Sequence, residues 1–354
     1  MFLKFTTLEI ILASLVISFI TTFLVLPFVN RIGEYFNIKD SPDPRKQKQS
    51  PLVRIGGIAI IFGFFTSLFL IWSLNNFSFD SLYQTKFFVL LILSSIVLFL
   101  LGLFDDLKSL SPFIRLLIQF AVAIFIAESG INIQQINLAW INIDPIFLPK
   151  IISNLVTSFW IVGLINAINW LDGVDGLASG IVGFASLGLA IISYQNGQFY
   201  VPLIAITLSG CSFGFLRFNF YPAKILMGDS GSYFLGFSLA IVSIMSTSSE
   251  VNPIGIFIPF FLLIIPIMDM LVVIIKRIFK RESPFLSDRS HFHHKLIDSG
   301  FSELGTVVLF YSFSQWIAVL TIGLASINDG VYLLATMLSS VILFFGFILS
   351  KFVL

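Results

Sequence analysis

Long apolar segments recur along the whole chain and are separated by short polar connections. A helix needs about 20 apolar residues to cross the roughly 30 Å hydrocarbon core of a bilayer. By that measure the pattern predicts an all-α integral membrane protein of about eleven transmembrane helices, with residues 1–354 as a single domain. The predicted spans lie near 8–29, 55–74, 87–104, 112–128, 151–168, 177–194, 199–216, 231–248, 254–275, 305–325 and 330–350. Pro266 lies inside the ninth span and should kink it.

The composition excludes a soluble fold. Of the 354 residues, 57% are hydrophobic and 11% are charged, whereas a soluble domain carries about 25% charged residues. So few charged residues could not form a water-facing surface around a core that holds 42 phenylalanines. The single cysteine, Cys211, lies in an apolar segment, which predicts a packing role.

The positive charges predict the orientation of the spans. Seventeen of the 20 Lys and Arg residues fall on one side of the predicted helices, mostly in the loops after spans 1 and 9. Because cytoplasmic loops are enriched in Lys and Arg, this side is predicted to be cytoplasmic, with the N-terminus outside and the C-terminus inside. The net charge of +1 gives no indication of nucleic acid, and we expect none as a partner.

Most residues that could carry chemistry lie on that same predicted side. A pair of aspartates follows span 3, and a Gly-Asp-Ser segment precedes span 8. A series of Asn and Asp recurs every third residue after span 5, where Gly173 and Gly176 favour a helix that opens into a loop. All three histidines lie within four residues after span 9. The residues are Asp105, Asp106, Asn166, Asn169, Asp172, Asp175, Asp229, His291, His293 and His294.

Each of these features also has an ordinary structural explanation. The aspartate pair could be interfacial carboxylates, Asp172 and Asp175 with their glycines could form a turn, and Asp229 could cap span 8. The histidines could belong to a solvated loop. The convergence of five carboxylates and three histidines on one face favours a functional site.

The residue types indicate phosphoryl chemistry. Carboxylates with an Asn oxygen suit a hard divalent cation, Mg²⁺ in particular, which commonly binds one or two carboxylates plus substrate phosphates. Lys, Arg and His donors suit phosphate oxygens. A metal beside cations at a lipid–water boundary predicts transfer between a membrane-held acceptor and a water-soluble donor.

In motif order the chain resembles the polyprenyl-phosphate N-acetylhexosamine-1-phosphate transferases, also called glycosyltransferase family 4. The resemblance runs from about residue 40 to residue 300. It rests on Arg45-Lys46 with Arg54-Ile55-Gly56-Gly57, on Asp105-Asp106, on Asn166–Gly176, on Gly228–Ser232 and on His291-Phe292-His293-His294.

The resemblance implies that polyprenyl phosphate attacks the β-phosphorus of a UDP-N-acetylhexosamine and that UMP leaves. Asn169 and Asp229 would hold Mg²⁺, for which Mn²⁺ is a substitute. The resemblance also implies catalytic roles for Asp105, Asp106, Asp172 and Asp175. Substrate binding would fall to Arg45, Lys46, Arg54, Arg115, Asn166, His291, His293 and His294.

Phe292 distinguishes the branches of the family. It interrupts the three consecutive histidines typical of the phospho-N-acetylmuramoyl-pentapeptide transferases, so the motif resembles the branch that uses UDP-N-acetylglucosamine to start a cell-envelope glycan on undecaprenyl phosphate. The pentapeptide transferase is the alternative within the family. Arg115 stands where many relatives have Lys, and an arginine cannot act as a proton carrier.

A transporter for an anionic solute is the alternative from another functional class. Transporters place ionisable residues near the bilayer midplane, whereas these spans are nearly free of charge. The main exception is Asp269, which we interpret as structural support for the histidine loop. The expected location is a bacterial inner membrane with the site facing the cytoplasm, and a homodimer is possible.

Overall fold

The computed structural model describes residues 6–40, 51–75, 82–138, 143–246, 255, 257–281, 291–326, 336–345 and 348. Within these residues the chain forms thirteen helices and one two-stranded hairpin. The helices are α1 Thr7–Tyr35, α2 Gly57–Asn75, α3 Leu82–Lys108, α4 Pro112–Glu128, α5 Lys150–Leu171, α6 Leu177–Gln195, α7 Tyr200–Asn219, α8 Gly228–Ser246, α9 Phe257–Leu262, α10 Ile264–Lys280, α11 Phe292–Asp298, α12 Glu303–Ser326 and α13 Thr336–Phe345.

The helices bear out a helical membrane protein. Seven described helices are long and apolar enough to cross a bilayer, namely α1, α2, α3, α5, α6, α7 and α12. The 17-residue α4 and the 19-residue α8, which starts with a polar turn, coincide with two further predicted spans. The number eleven and the orientation of the termini stay predictions.

A small β-hairpin between α4 and α5 differs from the purely helical expectation. Strands β1 Gln135–Leu138 and β2 Ile143–Phe147 pair antiparallel, with Ile136 opposite Ile146. The alternation of polar and apolar residues in Gln135-Ile136-Asn137-Leu138 suits a strand with one covered face. Hydropathy over a span-length window averages this alternation away, which is why the predicted spans leave this segment as a connection.

The predicted kink at Pro266 appears as a break between α9 and α10. Proline has no backbone N–H, so the carbonyl of Leu262, four residues earlier, loses its helical donor. The helix ends at Leu262 and starts again at Ile264, with Leu263 as the N-cap residue.

The central helix α8 brings the predicted motifs together. It is buried against α3 and α5, and glycines permit the close approach. A Cβ on Gly236 would lie 2.7 Å from the Cα of Ile165, and one on Gly102 would overlap the carbonyl group of Asp229. The C-terminal ends of α3 and α5 therefore meet the N-terminal end of α8 at one end of the bundle.

We predict that this end of the bundle faces the cytoplasm. In a Cys211→Ser background, Ser299→Cys at the exposed end of α11 should react only with reagents that cross the membrane. Gln195→Cys lies at the opposite end of α6 and should react with an impermeant maleimide on intact cells, because α6 starts beside the motif loop. The reverse labelling pattern would contradict the predicted orientation.

Candidate functional site

Asp106 on α3 caps the first turn of α8. Its Oδ1 accepts a hydrogen bond from the backbone N–H of Asp229 at 2.8 Å, and its Oδ2 accepts one from Ser230 at 3.0 Å. The first N–H groups of a helix have no partner within the helix, and a carboxylate there is also favoured by the helix dipole. The side chain of Asp106 is fully buried, so this contact fixes where α8 begins relative to α3.

Arg54 links three carboxylates at the entrance to α2. Its Nε and Nη2 lie 3.1 and 3.0 Å from Oδ1 of Asp106, and its Nη2 lies 3.7 Å from Oδ2 of Asp229. Its Nη1 lies 3.8 Å from Oδ1 of Asp40. Burial alone would lower the pKa of Arg54, but these carboxylates outweigh burial and raise it, so the guanidinium stays charged.

Asp105, beside Asp106, binds a different arginine. Its Oδ2 accepts a hydrogen bond from Nη1 of Arg115 at 2.6 Å and from the hydroxyl of Tyr233 at 3.3 Å. Its Oδ1 accepts one from the backbone N–H of Leu110 at 2.6 Å. Both oxygens of this buried carboxylate are therefore occupied by protein donors.

Asp229 is the carboxylate of this cluster that remains open. The Nδ2 of Asn169 donates to its Oδ1 at 2.6 Å and to Oγ of Ser232 at 2.9 Å. Its Oδ2 lies 3.7 Å from Arg54 and 3.9 Å from Arg115, beyond hydrogen-bond distance. The side chain is 19% exposed, whereas Asp105 and Asp106 are almost entirely covered.

This donor set fits a magnesium ion that shares its coordination with a substrate. Within the described part of the chain, no three Asp, Glu, His or Cys side chains converge as a set of metal ligands. Mg²⁺ usually takes one or two protein carboxylates and completes its octahedron with phosphates and water. Among the described residues, Oδ2 of Asp229 accepts no hydrogen bond from an N–H group, and Asn169 lies against the same carboxylate. Burial and a hydrogen bond with the carboxyl of Asp105 raise the pKa of Asp229 to about 7, and a bound cation would favour its charged form.

Asn166 faces α4 one turn before Asn169. Its Nδ2 donates to Oε1 of Gln119 at 2.7 Å and to the carbonyl of Val162 at 2.8 Å. The structure therefore places Asn166 in the α4–α5 contact rather than in the carboxylate cluster.

The glycine-containing segment after α5 forms a loop, as predicted. Helix α5 ends at Leu171, Asp172 is its C-cap residue, and Gly176 has the left-handed φ of 80° before α6 begins. Asp175 is buried and its Oδ2 accepts a hydrogen bond from the N–H of Ala223 at 2.8 Å, while Asn219 accepts one from the N–H of Gly176. Asp172 is half-buried at the mouth of this loop.

Asp269 on α10 anchors the histidine segment, as interpreted from the sequence. Its Oδ2 lies 2.7 Å from Nδ1 of His291, and its Oδ1 accepts the backbone N–H of Phe292 at 2.7 Å. This buried carboxylate thus fixes the start of α11.

His293 is the histidine whose ring is left open. It is 1% exposed, yet neither ring nitrogen has a hydrogen-bond partner among the described residues. Burial lowers the pKa of His293 to about 3, so the ring is neutral at pH 7. Its ring stacks on His291 with centroids 5.4 Å apart and lies 4.4 Å from that of His294, which is half-buried.

Two consecutive residues of α5 connect the carboxylate cluster with the histidines. Asn169 contacts Asp229, whereas Trp170 packs edge-on against His291 at 5.9 Å between centroids. A Cβ on Gly173 would lie 3.1 Å from Nε2 of His293, so this ring rests on the glycine loop. The motifs therefore form one continuous site around the C-terminal end of α5.

Tyr233 and Arg277 contribute to the site although no sequence motif includes them. Tyr233 stands four residues after Asp229 and so shares its helix face, a spacing that could have revealed it. Arg277 lies over the ring of Trp170 at 5.8 Å, and no sequence motif pointed to this pair. The predicted residues Arg45 and Lys46 lie outside the described residues.

The arrangement suits a reaction between phosphates. It offers two fixed guanidinium groups, one carboxylate with an open oxygen and one buried imidazole with unused nitrogens, all at one end of an apolar bundle. Arginines bind phosphate oxygens through planar, paired N–H groups. Such preorganised charges stabilise the charge that develops during phosphoryl transfer.

Comparison with known proteins agrees with this chemistry. The family model for glycosyl transferase family 4 matches residues 88–247. A probable undecaprenyl-phosphate N-acetylglucosaminyl 1-phosphate transferase of Bacillus subtilis is 31% identical over 85% of this chain and 81% of its own. A decaprenyl-phosphate N-acetylglucosaminephosphotransferase of Mycobacterium leprae is 30% identical over 89% of this chain and 82% of its own.

A phospho-N-acetylmuramoyl-pentapeptide-transferase of Halalkalibacterium halodurans is also 30% identical, over 89% of this chain and 97% of its own. These similarities extend well beyond the motifs and cover most of the chain. With the motifs gathered into one site, they show that this chain belongs to glycosyl transferase family 4.

Proposed function

We propose that this protein transfers N-acetylglucosamine 1-phosphate from UDP-N-acetylglucosamine to undecaprenyl phosphate or a similar polyprenyl phosphate. An oxygen of the lipid phosphate attacks the β-phosphorus of the UDP-sugar, the bond from that phosphorus to the bridging oxygen breaks, and UMP leaves. The observation that carries the proposal is the carboxylate of Asp229, which lies between two guanidinium groups. An unpartnered buried imidazole, His293, lies on the other side of the C-terminal end of α5.

In this proposal Asp229, with Asn169, holds the Mg²⁺ ion, and Mn²⁺ can replace it. The ion neutralises charge on the donor diphosphate when it is bound. Asp172, the half-buried C-cap residue of α5, organises the nucleotide end.

The remaining groups act by position and charge. A phosphate monoester has a second pKa of about 6, so the lipid phosphate is already mostly dianionic at pH 7 and needs no strong base. Arg115 and Arg54 bind it, with Arg45 and Lys46 assisting. Asp105 and Asp106 keep these arginines in place, because their own oxygens are occupied by protein donors.

Phe292, the residue that separates the two branches in the sequence, packs away from the site. Its side chain is buried, with its ring 5.4 Å from that of Phe345, so it packs into the core. The alternative donor, UDP-N-acetylmuramoyl-pentapeptide, deserves a direct test because of the relative that carries that name. Converting Phe292 to His would not add a donor to the site.

The decisive experiment measures UMP release by the purified protein with undecaprenyl phosphate and Mg²⁺. We expect UMP from UDP-N-acetylglucosamine, and none when the lipid phosphate is omitted. Release only from the muramoyl-pentapeptide donor would assign the protein to the alternative branch. If no UDP-sugar gives UMP and proteoliposomes that contain the protein take up an anionic solute, the transporter hypothesis would be supported instead.

We also propose that the protein resides in a bacterial inner membrane with this site facing the cytoplasm, where UDP-sugars are made. The prediction of a homodimer awaits a measurement of its mass in detergent.

A further inference from the structure

Tyr233 is a buried tyrosine whose hydroxyl lies inside the carboxylate–guanidinium cluster. It is 1% exposed, and its oxygen lies 3.3 Å from Nη1 of Arg115 and 3.3 Å from Oδ2 of Asp105. It accepts from the arginine and donates to the carboxylate. Because the same Nη1 donates to Asp105 at 2.6 Å, the three groups form a closed triangle.

We propose that Tyr233 is a positioning residue that orients Arg115 toward the phosphate of the lipid acceptor. This inference rests on the proposed function and assigns a role to a residue outside every motif recognised in the sequence. Tyr233 does not touch the substrate; it acts through the arginine.

The hydrogen bonds of Arg115 show why orientation matters. Asp105 and Tyr233 both bind Nη1, while Nε and Nη2 make no hydrogen bond to the described residues. The side chain is 27% exposed. A guanidinium fixed through one nitrogen therefore presents its other donors to the open part of the site.

Competition between two carboxylates creates the need for this restraint. Nη1 of Arg115 lies 2.6 Å from Asp105 but also only 3.9 Å from Oδ2 of Asp229. Without the phenol, the guanidinium could swing toward Asp229 and cover its open oxygen. Tyr233 follows Asp229 by four residues on α8, so one helix face supplies both the competing carboxylate and the hydroxyl that keeps the arginine away.

The planar shape of arginine makes the restraint specific. An ammonium group is a compact point charge whose three donors rotate freely, whereas a guanidinium binds well only in the plane of its fork. A lysine at position 115 would therefore gain little from the hydroxyl. Arg115 and Tyr233 are expected to function as a pair.

The test compares Tyr233→Phe, Arg115→Lys and the double variant. Tyr233→Phe keeps the ring but removes the hydroxyl. We expect kcat/KM for polyprenyl phosphate to fall about three- to tenfold, which corresponds to losing one net hydrogen bond. KM for the UDP-sugar should stay within twofold. In the Arg115→Lys background, Tyr233→Phe should have almost no further effect, so the two changes should be strongly non-additive.

Thr207→Val provides the matched control. Its hydroxyl is also buried and lies 2.6 Å from Oγ of Ser14, but the pair joins α1 to α7 away from the site. This variant should unfold at a lower temperature with unchanged kinetic constants. If Tyr233→Phe behaves in the same way, or if its effect adds fully to that of Arg115→Lys, Tyr233 is a packing residue and the inference is wrong.

Binding of a short-chain polyprenyl phosphate, measured by calorimetry without donor, separates this inference from the proposed reaction. Weaker binding to Tyr233→Phe than to wild type supports the positioning role even if no UMP is released, in which case only the transfer reaction fails. Equal binding by the two proteins, or no binding by wild type, overturns the positioning role.

Discussion

Asp229→Asn is expected to reduce UMP release about a hundredfold or more while the protein still folds and inserts. The amide keeps the shape of the side chain but loses the charge that a divalent cation requires of its carboxylate ligand. Groups that stabilise a transition state electrostatically commonly contribute 10²- to 10³-fold. The remaining contacts of α8 through Asp106 do not involve the side chain of Asp229, so the helix start should be preserved.

Asp144→Asn is the matched control for this substitution. Asp144 is an exposed residue of β2, in the hairpin at the opposite end of α5 from the site. The substitution makes the same chemical change, from carboxylate to amide, at a position outside the cluster. The Asp144→Asn variant should therefore release UMP at the rate of wild type.

A second measurement distinguishes loss of the metal from loss of another step. Mg²⁺ together with UMP should raise the thermal unfolding temperature of wild type and of Asp144→Asn in detergent, but not that of Asp229→Asn. Turnover of Asp229→Asn within threefold of wild type at ordinary Mg²⁺ would remove this carboxylate from the metal site.

The sequence predicted the features that depend on local composition. Apolar length located the helices, Pro266 located the break before α10, and Gly173 and Gly176 located the loop after α5. The charge distribution grouped the motifs on one side, and the structure places them at one end of the bundle. These features could be predicted because each depends on a short stretch of chain.

The roles of individual carboxylates could not be predicted because they depend on distant partners. Asp105 and Asp106 look alike in the sequence, yet one binds Arg115 and the other caps a helix that begins more than a hundred residues later. Asn166 and Asn169 belong to the same series of polar residues at every third position. Asn169 donates a hydrogen bond to Asp229, whereas Asn166 donates one to Gln119. A three-residue spacing places two side chains near one face of a helix, but the contacts that each side chain makes depend on the neighbouring helix.

His293 tests whether an unsatisfied buried group is kept for a ligand. Buried polar atoms without partners are rare in folded proteins, and each carries a cost. Both ring nitrogens of His293 lack partners among the described residues, whereas His291 beside it is bound by Asp269. We propose that these nitrogens bind the diphosphate of the donor, so that they are satisfied only when the UDP-sugar is present.

His293→Leu should therefore lower activity without lowering stability. Leucine fills much of the same volume and removes two unsatisfied polar atoms, so the unfolding temperature should be equal to or higher than that of wild type. Hydrogen bonds to charged groups contribute about 1.5–3 kcal/mol, so kcat/KM for the UDP-sugar should fall by roughly ten- to more than a hundredfold. The apparent affinity for polyprenyl phosphate should change much less.

Ser299→Ala, at the exposed end of the same helix, should leave the kinetics of both substrates unchanged, because the hydroxyl of Ser299 donates to the carbonyl of Lys295 within that helix. If His293 only fills space in the core, His293→Leu should give the opposite result. Leucine would then be harmless to the kinetics, and the imidazole nitrogens would have no role in donor binding. Loss of donor kcat/KM with retained stability arises only if the histidine is a poor core residue that is kept for its ligand.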